Sequence, residues 1–454
     1  MPVDGEAVRA PRRAGRWLGT LTLAAAALAG PLFILDRAID YFDLNYQAGR
    51  SRVSDDRMLT RKEFSVRVTT NALGFREPRL PGPKPPGTIR IVALGDSFTQ
   101  GYGVAEAEAY PRRLEALLRA RDHAHAYEVF NLGVPGTNPR DYLGNLRAVG
   151  LAYEPDIVLV GVMGNDVQDV RVQYEFGTRF QSGILDEVRR EITSPRASWK
   201  RLPSLLFPAL YPFVWERVQS LRAKLAPPAA PRPPEAGADE SPSPVTPPLI
   251  AASRWREVLL AFADRYQQRA AAESRLGRLS NDQIARIRPL LTGEESPFEG
   301  KEGEAPYWSL MALVQPDIMN DSVLLPPDYD ASWERMIAML RQIEQRAAAR
   351  GARTIVVFVP AIHQVTLAAQ AVFEERGLHW DPRTLTDTTF VDRLAAFGAS
   401  SSVTVVDLLR PLRAQASQRL YFPEDGHWTP AGHELAAELL ADAIRDQRAT
   451  DKPR

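Results

Sequence analysis

At 454 residues, the chain is long enough for one large domain with insertions or for two modest domains. Its 56 Lys and Arg residues balance 56 Asp and Glu residues, so no global field attracts nucleic acid, and no nucleic-acid partner is expected. The sequence has no cysteine, which excludes thiol nucleophiles, Cys-ligated metals and disulfides.

The N-terminus has the pattern of a membrane anchor. Four arginines lie within residues 1–16, and an uncharged run follows at 17–35. As a helix, this run would be about 28 Å long, close to the thickness of a bilayer core. The positive-inside bias then predicts a cytoplasmic tail, a single transmembrane helix and a periplasmic remainder. The small residues Ala27 and Ala29 leave open a cleaved signal peptide with a secreted product, and a buried core helix is a third interpretation.

Residues 36–87 are polar and punctuated by proline, which predicts a lead-in to the folded domain. Five short apolar runs then predict buried parallel strands. The runs are Ile89–Leu94, Tyr127–Leu132, Asp156–Val162, Arg353–Val359 and Val403–Leu408. Stretches with helical apolar spacing lie between most of them or after the last, at Leu114–Arg121, Tyr142–Ala152, Trp333–Arg350 and Pro430–Ala443. This alternation predicts an α/β fold whose strand C-termini meet at one edge of the sheet, where sites form.

Residues 170–327 interrupt the alternation. Within them, 226–248 is dominated by Pro and Ala and cannot bury enough apolar surface to order itself, so we predict a flexible loop there. The flanking stretches have helical spacing. The predicted domain is therefore built from 88–169 and 328–447, around a helical insertion.

The strongest local signal is the heptapeptide Gly-Asp-Ser-Phe-Thr-Gln-Gly at 95–101, directly after the first predicted strand. A strand, a tight turn and then a helix would place Ser97 at the edge of the sheet. Its hydroxyl would lie near a helix N-terminus, where developing negative charge is favoured. For Ser97 alone, an ordinary helix N-cap is the alternative interpretation.

Three further blocks follow other strands or precede the last helix, at Asn131–Gly136, Gly164–Asp166 and Glu424–Trp428. In this order, the four blocks resemble those of the SGNH, or GDSL-type, hydrolases, and they cover most of the chain outside the N-terminus and the insertion. The resemblance implies a three-layer α/β/α, flavodoxin-like fold with a five-stranded parallel sheet.

The resemblance also implies roles for particular residues. Ser97 would be the nucleophile and its backbone N–H the first oxyanion donor, the backbone N–H of Gly136 the second, and the side-chain amide of Asn165 the third. Gly136 is preferred to Gly133 because the family glycine usually lies five residues after an asparagine such as Asn131. His427 would be the base, oriented by an acid just upstream. These are the groups that acyl transfer through a serine requires.

Two departures from the family pattern bear on the site. Met163 stands where the third block usually has its first glycine. The usual acid lies three residues before the histidine, which is Glu424 here, whereas Asp425 lies two before it. An Asp-x-His spacing followed by Trp resembles the relatives that acetylate alginate and similar polysaccharides. Asp425 is therefore the preferred acid, with Glu424 as the alternative.

Rival chemistries lack their motifs. Thr99 stands where a Gly-x-Ser-x-Gly elbow needs its second glycine, and neither a Walker loop nor a dinucleotide fingerprint occurs. His and carboxylate spacing does not match a metal site, so no metal and no cofactor is expected. Of the other histidines, His433 is expected to pack or cap a helix, and His363 could line the pocket without a catalytic role.

The predicted activity is ester hydrolysis through an acyl-serine, on an acylated, in particular acetylated, carbohydrate, a lipid or a small ester outside the cytoplasm. Polysaccharide O-acetyl transfer by the same residues is the alternative, with partners in polysaccharide biosynthesis. A non-catalytic, membrane-tethered scaffold is a further alternative, and the joint presence of Ser97, Asn165 and His427 argues against it.

Overall fold

The computed structural model describes five parts of the chain, which are 31–35, 54–168, 170, 214 and 316–450, without the side chains of 448–450. The two long ranges belong to one compact unit, and the fold and the site lie within it. The predicted tail at 1–16, most of the predicted anchor, the predicted flexible loop at 226–248 and most of the predicted insertion lie outside the described residues. No described helix combines the length and apolarity that a membrane crossing requires.

The strands of the described residues form two sheets. They are β1 (Asp56–Thr60), β2 (Ser65–Thr69), β3 (Thr88–Gly95), β4 (Ala126–Gly133), β5 (Ile157–Val162), β6 (Arg353–Phe358) and β7 (Thr404–Asp407). The larger sheet is parallel throughout, in the order β4-β3-β5-β6-β7. Counted along the chain within this sheet, the order is 2-1-3-4-5, which is that of flavodoxin-like folds. All five predicted strands are confirmed, and their ends differ from the prediction by one residue at most.

The sheet is buried because its central strands are apolar on both faces. Residues 91–94 of β3 and 158–160 of β5 have no exposed surface, as expected for parallel strands covered by helices. The helices are α1 (Ser97–Gln100), α2 (Tyr110–Arg121), α3 (Pro139–Ala148), α4 (Ile318–Leu324), α5 (Asp330–Ala348), α6 (Ile362–Val365), α7 (Gln370–Glu375), α8 (Thr389–Ala399), α9 (Leu409–Ala414) and α10 (Pro430–Thr450).

The helices cover the two faces in pairs. Helix α2 packs beside α10, and α3 packs beside α5. Right-handed crossovers place these pairs on opposite faces, because the chain runs from β3 outward to β4 and then back across to β5. The predicted three-layer arrangement is therefore present.

The helix predictions differ from the structure in detail. The predicted helix Tyr142–Ala152 is in fact α3 followed by a 3-10 turn at Gly150–Tyr153. Helix α8 was not predicted, although Phe390, Leu394 and Phe397 have helical spacing and are buried.

The segment predicted as a lead-in contributes an antiparallel hairpin of β1 and β2. The apolar side chains of the hairpin form a small cluster of their own with residues that flank the first and fourth sequence blocks. The members are Leu59, Phe64, Val68, Val104, Ala109 and Phe422. The hairpin therefore lies against the loops that carry the site.

A buried arginine ties the hairpin to the loop after α1. Arg76 donates to the carbonyl oxygens of Gly101 at 2.6 Å, Val104 at 2.9 Å and Arg67 at 3.1 Å. Burial is the main cause that lowers the pKa of Arg76. All three acceptors are backbone oxygens, so these bonds link the main chain of the hairpin directly to the main chain of the loop after α1.

Candidate active site

Ser97 begins α1 immediately after the central strand β3. The turn is so tight that a Cβ on Gly95 would lie 2.0 Å from Thr99 Oγ1. The Asp96 side chain caps the helix, accepting the Phe98 N–H at 2.9 Å. The sequence thus places the Ser97 hydroxyl at the C-terminal edge of the sheet, as predicted.

His427 lies between Ser97 and Asp425. Its Nε2 is 2.7 Å from Ser97 Oγ, and its Nδ1 is 2.5 Å from Asp425 Oδ1. Because a carboxylate only accepts, a neutral imidazole in this position carries its proton on Nδ1 and accepts the Ser97 hydroxyl at Nε2. The side chains of His427 and Asp425 are 21% and 9% exposed. The structure therefore connects three of the predicted residues by two hydrogen bonds.

Asp425 is held as a carboxylate. Burial by itself raises its pKa, but the charge and the hydrogen bonds of His427, with the charge of Arg61, outweigh burial, so the pKa lies below its ordinary value. Gly426, between the acid and the histidine, has φ of +90°. This left-handed conformation lets two residues so close in sequence turn their side chains towards each other.

Glu424, the alternative acid, contacts other groups. Its side chain pairs with Lys62, and its carbonyl oxygen accepts from Arg376 Nη2 at 2.7 Å. The structure therefore puts Asp425, and not Glu424, on the imidazole.

Two aromatic rings contact the imidazole, and neither was predicted. The ring centroids of Phe98 and Tyr102 lie 4.8 Å and 4.5 Å from that of His427, with tilts of 34° and 32°. Both rings come from the residues just after Ser97. The places of Phe98 and Tyr102, one and five residues after Ser97, were the available sequence signal, because a helix turn returns their side chains to the same edge.

The three expected oxyanion donors follow the adjacent strands β3, β4 and β5. Gly136 is exposed, with φ of +67°, and within the described residues neither its N–H nor that of Ser97 has a protein acceptor. The rival Gly133 is engaged otherwise, because its N–H donates to Asn131 Oδ1 at 3.0 Å. A Cβ on Gly133 would also lie 2.4 Å from Gln100 N, so this glycine is needed for packing.

Asn165 lies in a helical turn at 164–168. Its side-chain Oδ1 is buried and has no hydrogen-bond donor among the described residues. The next residue, Asp166, accepts the Met163 N–H and lies 2.9 Å from the Tyr142 hydroxyl, which is 3.2 Å from Thr137 O. The turn that carries Asn165 is therefore linked to the loop that carries Gly136.

The other buried histidines do not contact Ser97. His433 Nδ1 accepts the Tyr110 N–H at 3.2 Å, and burial lowers its pKa to about 3. His363 donates from Nε2 to Met319 O at 2.9 Å, and burial lowers its pKa to about 4. In the described ranges, no group of three or more His, Asp or Glu side chains could hold a metal ion.

The most prominent residue that the sequence did not reveal is Glu63, in the turn between β1 and β2. Its Oε2 accepts the backbone N–H groups of Glu424 and Asp425, both at 2.9 Å. No local pattern identifies Glu63, because its partners lie far away in sequence.

Two protein families match the chain. Residues 93–275 match the GDSL-like lipase/acylhydrolase family, and residues 319–454 match the SGNH hydrolase-like domain of the acetyltransferase AlgX. The first match includes Ser97 and Asn165, and the second includes Asp425 and His427.

A relative and two solved structures are also similar. The probable alginate O-acetylase AlgJ of Pseudomonas putida is 28% identical over 112 residues, which are 24% of this chain and 27% of that protein. The match thus spans about a quarter of the relative's length. The acetyl xylan esterase AlAXEase has 9% identity and a TM-score of 0.33, covering 78% of this chain and all of that chain. The esterase AlinE4 has 22% identity and a TM-score of 0.17, covering 41% of this chain and 98% of that chain.

Proposed function

Because the chain belongs to the SGNH hydrolase family, with AlgX- and AlgJ-like relatives, we propose that Ser97, His427 and Asp425 form a triad that transfers an acyl group through an acyl-serine. The observation that carries the proposal is the pair of hydrogen bonds at 2.7 Å and 2.5 Å that joins them. A serine so placed has the base that its activation requires.

In the proposed reaction, His427 Nε2 takes the Ser97 hydroxyl proton as Oγ bonds to the ester carbonyl carbon. The oxyanion is received by the N–H groups of Ser97 and Gly136 and by the Asn165 amide. The intermediate collapses as the carbon–oxygen bond to the alcohol breaks, and Nε2 protonates the leaving oxygen. Asp425 stays ionised throughout and stabilises the imidazolium. A second hydroxyl compound then clears the acyl-serine by the same steps in reverse.

The acceptor in that second half distinguishes two activities. Water gives an esterase, and we take hydrolysis of an acetylated carbohydrate as the default. A sugar hydroxyl gives an O-acetyltransferase, which the AlgX family match at 319–454 and the Asp-x-His-Trp spacing favour. The arginines in 1–16 and the uncharged run at 17–35 support action outside the cytoplasm from a membrane anchor or after export.

The triad is tested with Ser97→Ala on an activated acetyl ester. We expect kcat to fall on the order of 10⁴-fold or more, because no other group supplies the nucleophile. Ser417→Ala, which changes an exposed serine, is the matched control and should retain activity. Wild-type turnover by the Ser97→Ala chain would contradict the proposal.

The acceptor is tested with acetylated glycans incubated with and without an unacetylated glycan. Acetate release that does not depend on the added glycan would indicate a hydrolase. Acetyl groups that appear on the added glycan would indicate a transferase.

Failure to label Ser97 with a serine-directed phosphonate would instead support the scaffold alternative.

A further inference from the structure

The turn of the β1–β2 hairpin lies against the loop that carries Asp425 and His427. We infer that Glu63, at this turn, is a positioning residue that holds the acid and the histidine in register with Ser97. The inference rests on the proposed function and adds a residue that no sequence block contains.

Glu63 accepts two backbone N–H groups of the 422–428 loop that the loop's own hydrogen bonds leave out. The loop closes by two internal bonds, from Phe422 N to His427 O at 2.8 Å and from Gly426 N to Phe422 O at 2.7 Å. The N–H groups of Glu424 and Asp425 are outside this closure, and one Glu63 oxygen accepts both at 2.9 Å. Hydrogen bonds to a carboxylate are roughly twice as strong as neutral ones.

The position of the Asp425 backbone decides where its carboxylate lies. The side chain is short, so its 2.5 Å contact with His427 Nδ1 follows the placement of the main chain. The Glu63 side chain is only 10% exposed, which protects its hydrogen bonds from competition by water. A displacement of about 1 Å in such a group can cost roughly 100-fold in rate.

The same turn supports the histidine from its apolar side. Phe64 contacts the rings of Phe422 and Tyr102, at centroid distances of 5.0 Å and 5.7 Å. Tyr102 in turn contacts the imidazole of His427. Glu63 and Phe64 are consecutive in the turn. Glu63 therefore contacts the backbone of the loop, and Phe64 contacts the Tyr102 ring, which lies against the His427 imidazole.

The nearby ion pairs are weaker candidates for this role. Lys62, which pairs with Glu424, is 77% exposed, and Arg419, 3.6 Å from Glu63 Oε1, is 71% exposed. Exposed pairs contribute little, typically about 0–1 kcal/mol. The loop backbone is therefore held from outside by the two hydrogen bonds of Glu63 and by that of Arg376 to the Glu424 carbonyl oxygen, and only Glu63 binds the Asp425 N–H.

Two substitutions separate geometry from charge. Glu63→Ala removes both hydrogen bonds. Glu63→Gln keeps an amide oxygen that can accept both N–H groups, because a single oxygen receives them in the native chain. A positioning role therefore predicts that Gln restores most of the activity that Ala loses. Arg419→Ala removes the ion pair and leaves the two hydrogen bonds, so it is the matched control.

The experiment measures kcat, KM and the rate of Ser97 phosphonylation for these chains, on an activated acetyl ester and per mole of folded protein. For Glu63→Ala we expect kcat and the phosphonylation rate to fall together, roughly 100-fold, with KM unchanged. Glu63→Gln should lie within about tenfold of wild type, because it loses only the charge assistance of the two bonds. Arg419→Ala should match wild type.

Wild-type kcat for folded Glu63→Ala, beside an inactive Ser97→Ala chain, would overturn the positioning role and leave the triad intact. A loss that Gln does not rescue would also contradict it. If Glu63→Ala fails to fold, Glu63→Asp takes its place, since its carboxylate is one methylene short of the two N–H groups. Reduced kcat in that chain supports the inference and wild-type kcat overturns it. An active Ser97→Ala chain would instead contradict the proposed function.

Discussion

At the scale of single residues, two adjacent carboxylates are separated by what they contact. Asp425 accepts a hydrogen bond from His427 Nδ1, whereas the Glu424 side chain pairs with Lys62 on the hairpin. Gly426, with its left-handed backbone, allows the two-residue spacing to close. Both residues are carboxylic acids, so their acidity does not decide which one contacts the imidazole. The backbone conformation of the turn decides it.

This separation predicts different effects for two isosteric substitutions. Asp425→Asn should lower kcat by about 10⁴-fold, because an amide at this position no longer selects the tautomer that accepts at Nε2. Glu424→Gln should change kcat by less than about threefold, since it weakens only an exposed ion pair. Both are measured on an activated acetyl ester. Equal losses for the two variants would contradict the assignment of Asp425.

At the scale of elements, α4 packs on the turn that carries Asn165. A Cβ on Gly164 would lie 2.6 Å from Val323 Cγ1 and 2.9 Å from Ser322 O. Helix α4 comes at the end of the predicted insertion, 170–327, so the chain returns to the domain directly against an expected oxyanion donor. The close approach requires glycine at this position.

Gly164→Ala is therefore expected to displace the turn. We expect a loss of roughly 1–3 kcal/mol in the free energy of unfolding, from overpacking, and a lower kcat because Asn165 moves. Val323→Ala in the same chain should recover part of both, because it removes the nearer contact. Gly82→Ala is the control, since nothing lies within 4 Å of its added Cβ. Denaturant unfolding and ester turnover measure the effects, and no change in Gly164→Ala would contradict this packing.

The elements that sequence predicts well are those whose signal is local. The strands β3 and β5 are buried on both faces, so their apolar runs identify them within a residue. The positions of Ser97 and His427 at one edge of the sheet could be predicted because each stands in a short block beside a strand end or a helix start. Glu63 could not, since its contacts with the 422–428 loop join residues far apart in the chain. The hairpin lies in the segment predicted as a lead-in, although Phe64, Val66 and Val68 alternate with polar residues as in a strand.

At the scale of the whole molecule, buried titratable groups couple stability to pH. Burial lowers the pKa of His363 to about 4 and that of His433 to about 3. In the unfolded chain both would bind protons near pH 6.5, so below that pH the unfolded state binds more protons and is favoured. Burial raises the pKa of Asp96 to about 6, so this group acts in the opposite direction as the pH falls. The two histidines lower the free energy of unfolding on acidification by more than the one carboxyl raises it, so the folded chain loses stability as the pH falls.

We therefore expect the free energy of unfolding to fall by roughly 1 kcal/mol per pH unit between about pH 6 and pH 4. His433→Gln keeps an acceptor for the Tyr110 N–H but does not titrate, so its slope should be shallower. Urea unfolding at several pH values gives both slopes. Parallel curves for the two chains would contradict the assignment of a neutral, buried His433.

The central claim is that Ser97 is activated by His427 for attack on an acyl carbon. The most direct measurement is peptide mass spectrometry of the full chain after reaction with a serine-directed phosphonate, with and without His427→Ala. The account predicts one stoichiometric adduct, on Ser97, whose rate of formation collapses in the His427→Ala chain. An adduct on another residue, or none in a wild-type chain that turns over an acetyl ester, would contradict it.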